Sequence, residues 1–152
     1  MVPHSRIPVS IITGFLGSGK TTLLNHLVQQ PGMADTAVIV NEFGEIGIDH
    51  LLIEQALEDT VLLQNGCVCC SIRGDLVDTL ESLRAQVARG EIPAFARAIV
   101  ETTGLADPAP VLQTLMTDKR LRPHYMLDGI VATVDAVNGA GQLGEFSEPV
   151  KQ

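Results

Sequence analysis

The sequence predicts an α/β protein in which helices cover both faces of a mainly parallel sheet. Short apolar, β-rich segments alternate along the chain with segments whose apolar residues recur at helical spacing. Several predicted strands are apolar throughout, as is typical of strands that are buried on both faces of a parallel sheet. The chain has 152 residues, enough for one domain with a substantial core. Ligands of such a sheet gather at the carboxyl ends of its strands.

The first half of the chain supplies three strands and one helix to this sheet. Residues Pro8–Thr13 (PVSIIT) predict an apolar first strand, and a helix over Thr21–Gln30 follows, ended by the Pro-Gly pair after it. Residues Thr36–Val40 (TAVIV) predict a second buried strand, and Val61–Leu63 predict a short third one.

A helix of about four turns is predicted after the third strand. Its apolar face consists of Ile72, Leu76, Leu80, Leu83 and Val87. Ser71 stands where an N-cap would, and Gly90 stands where a helix ends. The remaining predicted elements are a strand over Arg97–Val100, a helix from Pro108 through Met116, and a last strand over Gly129–Val134.

A phosphate-binding loop follows the first strand. The segment GFLGSGKTT matches G-x-x-x-x-G-K-[ST] without a mismatch and lies between a predicted strand and a predicted helix. Glycines let backbone N–H groups converge on a phosphate, and the helix N-terminus adds partial positive charge. We expect Lys20 to reach the β- and γ-phosphates and the Thr21 hydroxyl to hold Mg²⁺. The predicted nucleotide-binding residues here are Gly14, Gly17, Ser18, Gly19, Lys20, Thr21 and Thr22. The match predicts a P-loop NTPase-like three-layer fold.

A carboxylate at the end of another predicted strand completes the expected Mg²⁺ site. In the segment RAIVETTG, an apolar predicted strand is followed directly by Glu101, and Gly104 comes three residues later. We expect Glu101 to contact Mg²⁺ directly or through water, because Mg²⁺ commonly keeps several waters. Gly104 is placed to approach the γ-phosphate through its N–H, as a switch segment does. Lys20, Thr21 and Glu101 are therefore the predicted catalytic residues.

The loop after the second strand is rich in acidic residues. The segment NEFGEIGIDH contains Glu42, Glu45, Asp49 and His50. Carboxylates usually lie on a solvated face, but extra negative charge beside a triphosphate costs energy unless a cation is near. Because this loop leaves the same sheet edge as the phosphate loop, Glu42, Asp49 and His50 are candidate metal ligands.

All three cysteines of the chain lie in the segment NGCVCCS. The segment follows a short strand and precedes the capped helix, which predicts a strand-to-helix loop at the nucleotide-binding edge. Thiolates suit Zn²⁺, Co²⁺ or Cu(I), and a helix N-terminus lowers thiol pKa values. Cys67, Cys69 and Cys70 therefore predict a transition-metal site, whose incomplete ligand set leaves a position for Glu42, His50, water or a partner's side chain.

Two other interpretations of the cysteines stay open. Free cysteines are often buried, so the three thiols could simply be packed in the core. A disulfide or redox switch is the other alternative, although a vicinal Cys69–Cys70 bridge would be strained and a reducing compartment disfavours it.

Composition and charge exclude several classes of function. The formal net charge is −8 and the charges are mixed along the chain, so there is no basic surface for nucleic acid or an anionic membrane. Aromatic residues make up 3% of the chain, too few for a platform that stacks single-stranded bases. No apolar run reaches transmembrane length, and the N-terminal segment lacks a signal-peptide cleavage pattern. We expect a cytoplasmic protein that binds neither nucleic acid nor membrane.

Four motifs, in this order, resemble those of the CobW/HypB/UreG family of P-loop GTPases, and most of all its CobW-like branch of proposed metal chaperones. They are GFLGSGKTT, NEFGEIGID, NGCVCCSIRGDL and ETTGLADP. The resemblance implies GTP hydrolysis coupled to the loading of Zn²⁺ or Co²⁺ into a client metalloprotein. By position, it implies that residues 17–22 bind nucleotide and Mg²⁺ and that Glu101 has a Walker B-type role. It also implies that Glu42–Asp49 form a switch segment. Metal ligation is implied for Cys67, Cys69 and Cys70.

The chain departs from that family at its end. The guanine-reading [NST]-K-x-D motif should follow the last strand and the segment VDAVNG, but the sequence reaches Gln152 first. We therefore expect residues 1–152 to form an incomplete P-loop GTPase domain without the family's C-terminal domain. The preference for GTP over ATP comes from the resemblance alone, and the oligomeric state is left open.

The predicted function is that of a GTP-hydrolysing metal chaperone whose CxCC loop binds Zn²⁺ or Co²⁺ and delivers it under nucleotide control. No glutamine is placed to orient the attacking water, so we expect slow intrinsic hydrolysis that a partner accelerates. One alternative is a P-loop ATPase or kinase with structural cysteines. The other is a metal buffer whose metal affinity does not depend on nucleotide. The residues specify neither the metal nor the client.

Overall fold

The structure, a computed structural model, describes residues 6–40, 61–62, 68–71, 75–104 and 107–145. Its strands are β1 (Ile7–Gly14), β2 (Thr36–Val40), β3 (Val61–Leu62), β4 (Val68–Ser71), β5 (Arg97–Glu101) and β6 (Tyr125–Thr133). Its α-helices are α1 (Lys20–Val28), α2 (Leu76–Ala88), α3 (Ala109–Thr117) and α4 (Gly139–Glu145). A short 3₁₀ turn covers Pro31–Met33.

The six strands form one sheet in the order β3-β4-β2-β5-β1-β6. All neighbouring pairs are parallel except β3 and β4. The carboxyl ends of β1, β2, β4, β5 and β6 therefore lie along one edge of the sheet. This arrangement brings together the phosphate loop after β1, Glu101 at the end of β5 and Thr133 at the end of β6.

Helices pack on both faces of the sheet, which produces two apolar layers. On one face, Leu80 and Leu83 of α2 and Leu115 of α3 pack with Val9 and Ile11 of β1. The opposite layer consists of Ile12, Leu24, Val38, Val40 and Ile99, with α1 contributing Leu24. Successive strand residues alternate between the two layers, and every position of β2 is buried. The predicted α/β architecture, with a mainly parallel sheet and helices on both faces, is confirmed.

Most element boundaries agree with the prediction to within two residues, and β2 agrees at both ends. The exception among the strands is β6, which begins at Tyr125 rather than Gly129. Its register against β1 shifts between Val9 and Ser10, so that Asp128 is the extra residue of a bulge. An Asp-Gly pair usually signals a turn, but here the bulge lets the strand continue through it. Helix α4 was not predicted, because its sequence GAGQLGE is rich in glycine.

Two local predictions around the cysteines were wrong. The segment Val68–Ser71 is a strand, not a strand-to-helix loop, because it adds to the buried strand β2 with Cys70 opposite Ile39. Ser71 is therefore not a helix cap. Helix α2 begins at Leu76, and its N-cap is Asp75, whose Oδ1 accepts a hydrogen bond from the N–H of Asp78 at 2.8 Å.

No helix within the described ranges is long and apolar enough to cross a bilayer.

Candidate functional site

The phosphate loop connects β1 to α1 through backbone conformations that favour glycine. Gly14, Gly17 and Gly19 have φ values of 144°, 73° and 96°, where a Cβ would be strained. Gly14 also has no room for a side chain, because a Cβ there would lie 2.6 Å from the Ser18 hydroxyl. Helix α1 starts directly from Gly19 without a side-chain cap. Its first N–H groups are thus at the loop, as an anion site requires.

Lys20 is buried, with 6% of its surface exposed. Its ammonium group donates to the carbonyl oxygen of Gly14 at 2.8 Å and to that of Phe15 at 3.1 Å. The Phe15 carbonyl also accepts the N–H of Ser18 at 3.1 Å. These bonds hold the positive charge inside the loop, where a bound phosphate would meet it.

Thr21 and Glu101 are joined by a hydrogen bond across 80 residues of sequence. The Thr21 hydroxyl donates to Oε1 of Glu101 at 2.9 Å, and Glu101 is only 3% exposed. A carboxylate and a hydroxyl are hard oxygen ligands of the kind that Mg²⁺ prefers, and Mg²⁺ is often held by few protein groups together with phosphates and waters. The donor set therefore fits Mg²⁺. Thr22, the next residue, is exposed.

Gly104 lies against the phosphate loop from the side of β5. A Cβ at position 104 would be 2.7 Å from the backbone nitrogen of Leu16. The segment after Glu101 is also bonded to β1, because the N–H of Thr102 donates to the carbonyl oxygen of Ile12 at 2.9 Å. Gly104 thus contacts the loop that would carry the phosphates.

A group of hydroxyls beneath the loop was not found by sequence reasoning. The Thr102 hydroxyl donates to Oγ1 of Thr13 at 3.0 Å. The Thr133 hydroxyl donates to the carbonyl oxygen of Thr13 at 3.2 Å, and its Oγ1 lies 2.7 Å from Oγ of Ser18. The available signal was a threonine within one residue of the carboxyl end of each of β1, β5 and β6. Thr102 lies in the ETTGLADP motif, but Thr13 and Thr133 lie in none of the four motifs.

The turn after β6 is fixed by Asp135. Its Oδ1 accepts the N–H groups of Val137 at 2.8 Å and Asn138 at 3.0 Å, and its Oδ2 accepts the side-chain amide of Asn138 at 2.9 Å. These bonds lower the pKa of Asp135, with the side-chain amide of Asn138 as the main cause. They also position α4, whose Gln142 and Leu143 line a small cleft with Gly14 and Phe15 of the phosphate loop.

The structure describes only part of the predicted transition-metal site. Cys70 is buried, with 6% of its surface exposed, among the apolar residues between the sheet and α2. Cys69 pairs through its backbone with Val38 of β2. Cys67 and the predicted ligands Glu42, Asp49 and His50 lie outside the described residues. In the part of the chain that is described, no three His, Cys, Asp or Glu side chains are grouped to hold a metal ion.

The model of one protein family matches nearly the whole chain. It is described as "CobW/HypB/UreG, nucleotide-binding domain", and it matches residues 8–150. The chain belongs to the CobW/HypB/UreG family. The resemblance inferred from the four motifs is thereby confirmed.

Several curated CobW/HypB/UreG relatives are similar to this chain. Zinc chaperone YjiA of Escherichia coli is 43% identical over 141 residues, which cover 93% of this chain and 44% of that protein. Zinc-regulated GTPase metalloprotein activator 1 of Schizosaccharomyces pombe is 38% identical over 87% of this chain and 32% of its own length. Zinc chaperone CobW of Pseudomonas aeruginosa is 35% identical over 97% of this chain and 40% of its own length. The chain therefore spans less than half the length of these relatives.

The fold also matches a solved structure of the family. The crystal structure of Zn(II)-bound YjiA GTPase from E. coli superposes with a TM-score of 0.75 and 38% sequence identity, over 95% of this chain and 45% of that chain. The structure of a Zn(II)-bound triple mutant of YjiA superposes with a TM-score of 0.76. These matches confirm the P-loop NTPase-like three-layer fold.

Proposed function

We propose that this chain is the nucleotide-binding part of a GTP-hydrolysing metal chaperone that delivers zinc to a client metalloprotein in the cytoplasm. The hydrogen bond between Thr21 and Glu101 carries the proposal, because it joins the end of the phosphate loop to a buried carboxylate. A loop that only turned a strand into a helix would need no such partner. The names of the relatives, zinc chaperones and a GTPase metalloprotein activator, support the same function.

In this proposal, the residues of the phosphate loop bind the nucleotide and orient its phosphates. The Lys20 ammonium, held by two loop carbonyls, neutralises charge on the β- and γ-phosphates. Thr21 and Glu101 would hold Mg²⁺, which supplies charge neutralisation on the β- and γ-oxygens when bound. Gly104, packed on Leu16, senses the γ-phosphate because the two backbones are in contact. The proposed site has no glutamine that would orient the attacking water, so intrinsic hydrolysis is slow. In this proposal a partner protein accelerates it.

The transported metal is bound by Cys67, Cys69 and Cys70, with Glu42, Asp49 or His50 as further ligands. Thiolate ligands suit Zn²⁺ and Co²⁺ alike, and the zinc-binding relatives favour Zn²⁺. Cys70 is buried beside α2, so the end of β4 must rearrange before this thiol can reach a metal. An incomplete set of protein ligands would ease release to the client.

The sheet provides a physical connection between the two sites. Strand β4, with two of the cysteines, pairs with β2, and β2 pairs with β5, which ends at Glu101. A nucleotide that orders the ends of β2 and β5 therefore acts on the strand that carries the thiols. Coupling of this kind is reciprocal, so a tenfold effect of nucleotide on metal affinity implies a tenfold effect of metal on nucleotide affinity.

Phosphate release from GTP tests the enzymatic part of the proposal. We expect slow Mg²⁺-dependent hydrolysis of GTP that excess ATP does not inhibit. The Lys20→Ala variant should lose roughly 10²- to 10³-fold in kcat, as is typical when one donor to transition-state charge is removed. Lys119→Ala, which changes an exposed lysine, is the matched control. Unchanged turnover in Lys20→Ala would contradict the proposal.

One observation favours a second candidate, a P-loop ATPase or kinase whose cysteines are structural. Cys70 packs in the core, as a structural cysteine does. Under this alternative, ATP displaces GTP, and replacing the cysteines leaves zinc affinity unchanged. A nucleotide-independent metal buffer, by contrast, would bind zinc through the cysteines with the same affinity whether or not nucleotide is present.

A further inference from the structure

We infer that Thr133, at the end of β6, is a positioning residue that holds the phosphate loop in its nucleotide-binding conformation through Ser18. The inference rests on the proposed nucleotide-binding function. It assigns a role to a residue outside the four motifs, 115 residues away from its partner in the loop.

Two contacts of the Thr133 hydroxyl connect Ser18 to the end of β1. A threonine hydroxyl has a single proton to donate, and that of Thr133 is directed to the carbonyl oxygen of Thr13 at 3.2 Å. The 2.7 Å contact between the two hydroxyls is a second hydrogen bond, and Ser18 donates it when the Thr133 proton points to Thr13. One side chain of β6 thus connects the end of β1 to the middle of the loop.

The close approach of the loop to β6 at Gly14 supports this role. Gly14 pairs with Thr133 in the sheet, and the space that a Cβ at Gly14 would need is occupied by Thr133 and by the Ser18 hydroxyl. The absence of a side chain at Gly14 is therefore what allows the hydroxyls of Thr133 and Ser18 to meet.

The effect on nucleotide binding follows from where Ser18 lies. Its neighbours Gly17 and Gly19 both have positive φ, and glycine backbones gain the most freedom when a restraint is lost. Without the Thr133 hydroxyl, the loop must be ordered by the phosphates themselves. Binding then bears that ordering cost, which a preorganised loop avoids. We expect weaker nucleotide binding with little change in the fold.

Isosteric replacement of Thr133 tests the inference. Thr133→Val keeps the β-branched shape but removes both hydrogen bonds, whereas Thr133→Ser keeps the hydroxyl. We measure the Kd of a fluorescent GTP analogue with Mg²⁺, the kcat and KM for GTP, and the Tm without nucleotide. Thr133→Val should weaken binding roughly 3- to 10-fold, the value of one to two net hydrogen bonds, mainly through KM. Thr133→Ser should restore most of the affinity.

A double-mutant cycle with Ser18→Ala separates positioning from a general loss of structure. If the two hydroxyls act as a pair, Ser18→Ala should weaken binding to a similar extent, and adding Thr133→Val should change it little further. Thr117→Val is the matched control, because its hydroxyl donates to the Gln113 carbonyl on α3, away from the loop. This control should bind nucleotide like the unmodified protein.

The outcomes distinguish the inference from the proposed function. Normal binding by Thr133→Val, additive losses in the double mutant, or a loss that Thr133→Ser does not restore would each contradict the inference alone. The inference would also be contradicted if Thr133→Val lowered the Tm enough to explain its weaker nucleotide binding. Failure of the unmodified protein to bind nucleotide at all would overturn the proposed function and the inference with it.

Discussion

The backbone of Gly104 lies against the backbone of Leu16, so that a Cβ at position 104 would be 2.7 Å from the Leu16 nitrogen. This contact joins the segment after β5 to the phosphate loop after β1. Gly104 is also buried. Both the backbone and the side chain of Leu16 lie at this contact, so we expect a change in the loop to act directly on the segment after Glu101.

We predict that Gly104→Ala weakens nucleotide binding and destabilises the protein. The added methyl group must push the two segments apart, and overpacking of this kind typically costs about 1–3 kcal/mol. Gly141→Ala is the matched control, since a Cβ there meets nothing within 4 Å. In helix α4, this control should be neutral or stabilising by up to about 1 kcal/mol. Thermal unfolding and nucleotide titration of both variants check the prediction, and equal behaviour of the two would contradict it.

A second prediction concerns the role of Glu101 in binding Mg²⁺. Glu101→Gln keeps an oxygen that can accept the Thr21 hydrogen bond but removes the negative charge. We expect nucleotide affinity in Mg²⁺ to fall about 10- to 100-fold, as for loss of a group that supports a metal, while affinity in EDTA changes little. Nucleotide titrations with Mg²⁺ and with EDTA measure the difference. A loss of the same size in both conditions would mean that Glu101 acts on the loop and not on the metal.

A third prediction concerns the burial of Cys70. Because the side chain is 6% exposed and packs between the sheet and α2, Cys70→Ala should destabilise the metal-free protein. Deleting a group of about methyl size from a core costs roughly 1 kcal/mol, which lowers the Tm of a protein of this size by about 2–4 °C. Thermal unfolding in the presence of a chelator measures this loss. An unchanged Tm would indicate that the thiol faces solvent.

A fourth prediction concerns pH and Asp135. Its pKa is lowered in the folded protein, so its hydrogen bonds stabilise the fold above the ordinary carboxyl pKa of 3.8. That contribution is lost as the pH falls through the lower, folded-state pKa. Asp135→Asn cannot titrate at this position. As the pH falls through this acidic range, its Tm should therefore decrease less steeply than the Tm of the unmodified protein. Identical pH profiles of the two proteins, from pH 6 to about pH 2.5, would contradict the prediction.

The phosphate loop and Glu101 could be predicted from the sequence because each depends on a short local pattern next to an apolar strand. β6 was predicted too short because its Asp128-Gly129 pair looks like a turn, whereas the structure absorbs Asp128 in a bulge against β1. The cysteine segment was predicted to be a loop because its strand character comes from pairing with β2, a long-range contact that the local residues do not encode. Thr133 was missed for the same reason, since its partner is 115 residues away.

Metal affinity measured with and without nucleotide tests the proposed function most directly. The protein is titrated with Zn²⁺, and separately with Co²⁺, against a chromogenic chelator in the presence and absence of Mg²⁺ and GTPγS. A variant with Ser at Cys67, Cys69 and Cys70 serves for comparison. We predict one strong site that requires the cysteines and whose affinity changes when the nucleotide is added. Equal affinity with and without nucleotide, or unchanged binding by the serine variant, would contradict a nucleotide-controlled metal chaperone.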